Sequence, residues 1–203
     1  MKVVRFLAEL DPNKCKGDLH CERVCPSGAI KIAVAMVDER KCVACANCAD
    51  VCPAGAIRLV ERSEPLILKT DPDEVDQQKM IELCIKAGIH PMQPVCPCTD
   101  TQAGEVAAAI IKGAKTPEEV TLMTGARSAC EIYCTSAVLR LLKAYGLEVT
   151  PPKNHGWYDL STPHLRDIPE EVGNRYPSYH INEDKEMFKQ FEAMLQALRQ
   201  PVC

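Results

Sequence analysis

The apolar positions of this chain follow two regimes. Before about residue 61 they come in short β-prone runs: Lys2–Leu7 (KVVRFL), Ala33–Val37 and Ile57–Val60 have strand length and β-branched content. Beyond about residue 71 the spacing becomes helical. Gly104–Ile111 places Val106, Ile110 and Ile111 as apolar contacts. Thr116-Pro117-Glu118-Glu119 combines a threonine cap, proline at the first helical position and an acidic first turn. Ala129–Tyr145 reads as a longer helix, and Asp184–Gln200 carries Met187, Phe188, Phe191, Met194, Leu195 and Leu198 on one broad apolar face. Strands first and helices afterwards predict an α+β chain.

Between the regimes, SEPLILKTDPDEVDQQ reads as a linker leading into a helix that Asp71 caps and Pro72 opens. Ile81, Cys84, Ile85 and Gly88 are expected on one face and the stop near Gly88. Cys84 reads as a small buried hydrophobe on that face, and His90, followed by Pro91, as structural or exposed. The boundaries predicted are 1–61, a linker with helix over 62–94, a helical domain over 95–147 and a C-terminal segment over 148–203.

Composition changes this picture in one respect: 13 of 203 residues are cysteine. The chain has no secretory leader pattern over Met1–Asp11 and no apolar run long enough to span a bilayer, so cytoplasm is the expected compartment and a disulfide scaffold is not. Three Phe, one Trp and five Tyr supply little aromatic core, which favours small modules stapled by cofactors. With 24 basic against 28 acidic residues the chain offers no basic patch, and nucleic acid is excluded as a partner.

Seven of the cysteines form two blocks that superimpose at an offset of 27 residues: Cys15 on Cys42, Cys21 on Cys48 and Cys25 on Cys52, each block ending in Pro-x-Gly-Ala-Ile. The second block reads C-x2-C-x2-C-x3-C-P, the run of bacterial two-cluster ferredoxins, whose fourth cysteine serves the other cluster. The expected module is therefore βαββαβ-like with a pseudo-two-fold axis. The crossed arrangement assigns Cys25, Cys42, Cys45 and Cys48 to one [4Fe–4S] cubane, and Cys15, Cys21 and Cys52 to another. Asp18 stands where the duplication requires a counterpart of Cys45. Either its carboxylate ligates iron or that corner is empty and the cluster is [3Fe–4S]; His20 or an outside cysteine is a less local substitute.

A further unit begins at Cys96-Pro97-Cys98 and closes 32 residues after Cys98 at Cys130 and Cys134, which a continuous helix would stack one turn apart. Four thiols suit an iron–sulfur cluster or a closed zinc site. The stretch from Val95 to about Gly146 resembles the bacterioferritin-associated-ferredoxin type of domain, with C-x-C, about thirty residues, then C-x-x-C. Tyr133 occupies the place of that family's fourth cysteine and Cys134 follows one residue later. The resemblance implies [2Fe–2S].

The order of parts, two crossed ferredoxin blocks followed by a helical CPC…C-x3-C unit, resembles the small iron–sulfur subunits of tungsten-dependent, ATP-independent benzoyl-coenzyme A reductases. This resemblance implies a non-catalytic electron-transfer subunit with a third [4Fe–4S] cluster on Cys96, Cys98, Cys130 and Cys134. It also implies an upstream electron donor and a tungsten-pterin catalytic partner of the aldehyde:ferredoxin oxidoreductase class. The alternatives are a subunit of another tungsten, molybdenum or heterodisulfide-reductase-like complex, and a mixed iron–sulfur and zinc delivery module. No acid–base pair suggests a catalytic role: His155, His164 and His180 are scattered, and Cys203 reads as an unligated thiol. The aromatic, turn-rich stretches Asn154–Tyr158 and Arg175–His180, with the last helix, are expected to dock on the helical domain or on a partner.

Overall fold

The computed structural model describes residues 2–32, 36–130, 132–151 and 168–198. The chain divides into two compact units, Met1–Leu160 and Ser161–Cys203. The first is a mixed α+β fold containing a ferredoxin-like module and a helical module.

Strand β1 (Lys2–Leu10) pairs antiparallel with β4 (Ile57–Leu68), so the first and last strands of the ferredoxin-like module close on each other. Between them lie the one-turn helix α1 (His20–Arg23), the short antiparallel pair β2 (Ile30–Lys31) and β3 (Met36–Val37), and the one-turn helix α2 (Asn47–Asp50). Residues 33–35 of the expected Ala33–Val37 strand lie outside the described residues. The small core is built from Ala8, Ala29, Ile30 and Ile57 together with Cys21, Cys25, Cys42 and Cys48. Thiols replace the large side chains that a module of this size lacks.

β4 runs to Leu68, past the predicted end at Val60 and into the expected linker. The ladder has an irregularity: Phe6 pairs with Glu61 and Val4 with Leu66, leaving Arg62–Pro65 opposite Arg5. Pro65, which lacks an N–H, falls in that bulge and interrupts no regular rung. Arg62 folds back from the same bulge and donates to the carbonyls of Phe6 at 2.9 Å, Glu39 at 2.7 Å and Cys42.

The expected helix after Asp71 is two elements. Asp71 Oδ1 accepts from Asp73 N at 3.1 Å over a 3₁₀ turn, Pro72–Glu74, and Asp76 Oδ1 accepts from Lys79 N at 3.1 Å to cap α3 (Gln77–Lys86). The buried face of α3 is Met80, Leu83, Cys84 and Ala87, whereas Ile81 and Ile85 are exposed. The predicted face was therefore rotated by about one position. Starting α3 at Gln77 lets Met80, Leu83, Cys84 and Ala87 pack on the helices over Ala103–Ile111 and Thr135–Tyr145, which a continuous helix from Pro72 gives no reason to select.

Strands β5 (Pro94–Cys96) and β6 (Thr101–Gln102) form a small hairpin around the second motif's first two cysteines. Helix α4 (Ala103–Ile111) is buried along nearly all its length and lies at the centre of the helical core. Helix α5 (Pro117–Thr124) starts as its sequence dictates: Thr116 Oγ1 accepts from Glu119 N at 3.2 Å, and Glu119 Oε2 accepts from Lys115 N at 2.6 Å. Gly125 ends it in a left-handed conformation, φ +78°.

Helix α6 (Thr135–Tyr145) begins six residues later than predicted. The amides of Ile132 and Tyr133 are directed at the Cys130 sulfur, so they are withdrawn from the i→i−4 ladder that a helix starting at Ala129 would need.

The second unit contains α7 (Glu170–Arg175), a 3₁₀ turn at Pro177–Tyr179 and α8 (Ile181–Leu198). Asn182 Nδ2 donates to Asn174 Oδ1 at 2.9 Å, joining the two helices, and Tyr176 meets Tyr179 edge-on with ring centroids 6.5 Å apart. Met187 and Tyr179 are exposed. Asn154–Tyr158, His155, His164 and Cys203 lie outside the described residues. No helix among the described residues is long and apolar enough to cross a membrane.

Candidate metal centre

The internal duplication survives as backbone geometry. Lys14 N and Cys15 N both donate to Asp11 O, and Lys41 N and Cys42 N both donate to Asp38 O. Gly17 and Ala44 both have positive φ, +70° and +54°, as do Leu19 and Ala46, +65° and +68°. Asp18 and Cys45 are therefore presented on equivalent turns. After each helix the chain repeats again: Ala29 N donates to Cys25 Sγ at 3.1 Å and Ala56 N to Cys52 Sγ at 3.4 Å, with Gly28 and Gly55 in the left-handed conformation that lets the next amide point at sulfur.

Cys25, Cys42, Cys45 and Cys48 line one hollow together with Ala8, Ala29, Ile30, Val43 and Leu59. Ala8 N donates to Cys42 Sγ at 3.2 Å, and Ser27 Oγ lies 3.8 Å from Cys25 Sγ. Burial, followed by the neighbouring sulfurs of Cys45, Cys25 and Cys42, pushes the Cys48 thiol up to about 12. Four thiols crowded into an apolar hollow cannot all ionise there without a cation. The donor set and its N–H···S bonds suit a cubane, which spreads its charge over four irons.

The other half gathers Cys15, Asp18 and Cys21. Burial raises the Cys21 thiol to about 11, and the charges of Asp18 and Cys15 add to that rise. Asp18 Oδ1 accepts from His20 N at 3.1 Å and lies 3.8 Å from His20 Nδ1. Its carboxylate stands before α1 at the position at which Cys45 stands before α2, and holds the first amide of that helix. His20 itself is more than half exposed.

In the helical module Cys96, Cys98, Cys130 and Cys134 come as two pairs. Cys98 and Cys130 are exposed with sulfurs 3.6 Å apart, and the buried Cys134 thiol faces the buried Cys96 sulfur. Donation from Cys134 is the largest effect on Cys96 and brings it down to about 5, while Cys134 is correspondingly raised. Two thiolates on one tetrahedral ion with metal–sulfur bonds of about 2.3 Å stand about 3.8 Å apart. The Cys98–Cys130 separation is of that order, and the donor set is four cysteine sulfurs in two facing pairs. Among the described residues, no three Cys, His, Asp or Glu side chains close around a single point. Tyr133 is exposed and Cys134 fully buried, so the one-residue displacement of the last cysteine turns Tyr133 outward and the thiol inward. Cys84 is fully buried in the helical core, its thiol raised to about 11 by burial alone.

Sequence reasoning missed Arg127. It is fully buried, takes φ +68°, aims its backbone N–H at the Cys96 and Cys134 sulfurs, and donates from Nη1 to the carbonyl of Pro26 at 3.2 Å. Nothing in GARSAC signals this, because the partner carbonyl is 101 residues away. The sulfur-directed amides of Ala8, Ala29 and Ala56 were equally invisible, since any residue but proline supplies an N–H.

Two family models match. Residues 8–31 and 35–58 each match a 4Fe-4S binding domain, and residues 94–144 match a BFD-like [2Fe-2S] binding domain. No curated protein and no solved structure matches the chain. The chain is a two-domain iron–sulfur-binding protein. Both kinds of domain are typical of non-catalytic electron carriers, and iron–sulfur clusters are the implied cofactors.

Proposed function

We propose that the chain is the electron-transfer subunit of an oxidoreductase complex, with three iron–sulfur centres in one relay. The ligand sets are Cys25, Cys42, Cys45 and Cys48 for a [4Fe–4S] cubane; Cys15, Cys21 and Cys52, with Asp18 at the fourth corner, for a second cluster; and Cys96, Cys98, Cys130 and Cys134 for the third. Loaded with iron and sulfide, such centres accept and release single electrons. The observation that carries the reading is that both kinds of cysteine site occur in one compact unit, with Arg127 spanning from one to the other.

For the third centre the reading adopts [2Fe–2S], because the thiols are paired and because the matching domain model is of that type. The residues around each site have separable roles. Amides of Ala8, Ala29 and Ala56 donate to sulfur and ease the addition of negative charge. Burial of Cys25, Cys42, Cys48, Cys96 and Cys134 excludes water, whereas exposed Cys98 and Cys130 put one edge of the third site at the surface, where a redox partner can approach.

The finer assignment rests on the order of parts. It resembles the small subunit of tungsten-dependent benzoyl-coenzyme A reductases, so the partner proposed is a tungsten-pterin subunit that reduces the thioester's ring to a cyclic diene. Anaerobic purification with metal analysis tests the centres: about ten irons per chain supports two cubanes and a [2Fe–2S] centre, about twelve a third cubane, and about one zinc per chain sinks the all-redox reading. Co-purification from the native cell tests the partner. A stable complex holding neither tungsten nor molybdenum overturns that assignment and leaves the centres untouched.

A further inference from the structure

Arg127 connects the two modules at one point. Its side chain is completely buried and its Nη1 donates to the carbonyl of Pro26, the residue directly after Cys25. Nη1 lies 3.8 Å from Glu118 Oε1, and Glu118 in turn lies against the same turn: a Cβ added to Gly28 would meet Glu118 Cγ at 3.9 Å. The other end of the residue reaches the helical site, where the Arg127 amide faces both inner sulfurs. A left-handed backbone at a non-glycine residue is held only where its surroundings dictate it. Here that conformation aims the amide at Cys96 and Cys134 while the guanidinium points to Pro26. Further ties hold the modules in this register: Lys2 Nζ pairs with Glu105 Oε2 at 2.8 Å, and Thr70 Oγ1 donates to Met123 O at 2.9 Å.

We propose that Arg127 is a positioning residue that locks the inner Cys96–Cys134 pair against the Cys25 turn and sets, with Glu118, the charge that both sites feel. The inference rests on the reading that these two cysteine sets hold clusters. It makes the Cys25/Cys42/Cys45/Cys48 site, rather than the Asp18-bearing one, the neighbour of the helical site. A buried cation stabilises the reduced form of a nearby cluster and a partly buried carboxylate opposes it, so Arg127 and Glu118 act with opposite sign.

The test uses the full chain, reconstituted anaerobically with iron and sulfide, and a redox titration followed by electron paramagnetic resonance. In Arg127→Gln the helical centre and the Cys25 centre move to lower potential, while the Cys15/Cys21/Cys52 centre holds its value. Arg127→Lys restores most of the shift, and Glu118→Gln moves the same two centres upward. Unchanged potentials in Arg127→Gln and Glu118→Gln overturn the proposal, as does an equal shift at all three centres. If Arg127→Gln loads no iron, Glu118→Gln decides alone. If the unaltered chain takes up no iron, the cluster reading fails by itself. Hydrogen exchange at the Ala29 amide in metal-free protein then still decides the positioning role: exchange several-fold faster in Arg127→Gln supports it, and an unchanged rate overturns it.

Discussion

Asp18 Oδ1 accepts the backbone N–H of His20 at 3.1 Å, so the carboxylate that replaces a thiol in the duplication also holds the first amide of the helix carrying Cys21. The turn that presents it matches the turn that presents Cys45, residue for residue in the sign of φ. A cysteine at position 18 would therefore have the same approach to iron as Cys45. Asp18→Cys is expected to abolish any three-iron signal in the oxidised protein's paramagnetic resonance and to raise the iron content by up to about one per chain. Persistence of a stoichiometric three-iron signal would show that position 18 is not the open corner.

Cys45→Ala removes one wall of the apolar hollow and one of the four thiols crowded there. Iron should fall by up to about four per chain, with the helical centre's absorption retained. Loss of the helical centre's spectrum instead would mean that the two modules do not fold independently of their cofactors.

Cys84 should behave as core. Its thiol is raised from 9.0 to about 11 by burial, so the unfolded chain ionises first as pH rises. Its contribution to stability is complete below about 9 and is lost as pH climbs toward 11. In native protein at pH 8 it should resist alkylation, because the thiolate is the reactive species and the group is closed to solvent. Cys84→Ala should leave iron content unchanged, and Cys84→Ser should cost about 1–3 kcal/mol in denaturant unfolding by burying a hydroxyl without a ready partner. Iron lost in Cys84→Ala would make it a ligand.

Thr116→Ala deletes the hydroxyl that accepts from Glu119 N at 3.2 Å. Helix α5 should lose about 1 kcal/mol, measured as a lower unfolding midpoint with an unchanged denaturant slope. Because α5 carries Glu118, faster exchange in this variant should extend to the Gly28 turn.

Much of the chemistry was legible because it is local. The offset of 27 residues between the cysteine blocks, the caps at Asp71 and Thr116 and the Pro-x-Gly-Ala-Ile turns are short-range patterns whose geometry depends on a few neighbouring residues. Gly28 and Gly55 could be placed beside sulfur from sequence because tight turns there need a residue that tolerates positive φ. The departure at Asp18 was equally readable, since a duplication states what each position should be.

Tertiary structure decided what depends on distant partners. β4 extends to Leu68 because β1 resumes pairing beyond the bulge, Val4 with Leu66, Val3 with Ile67 and Lys2 with Leu68, although Pro65 argues against a strand locally. The buried face of α3 was fixed by packing on α4 and α6 rather than by hydrophobicity, which left Ile81 and Ile85 outside. α6 starts at Thr135 because the amides before it turn to the Cys130 sulfur, a competition invisible to helical periodicity. Arg127 became a buried link only when a carbonyl 101 residues earlier came within hydrogen-bond distance. The sequence by itself determined which atoms can bind iron and how they are spaced; only the three-dimensional packing determined which thiols pair, which face solvent and which module touches which.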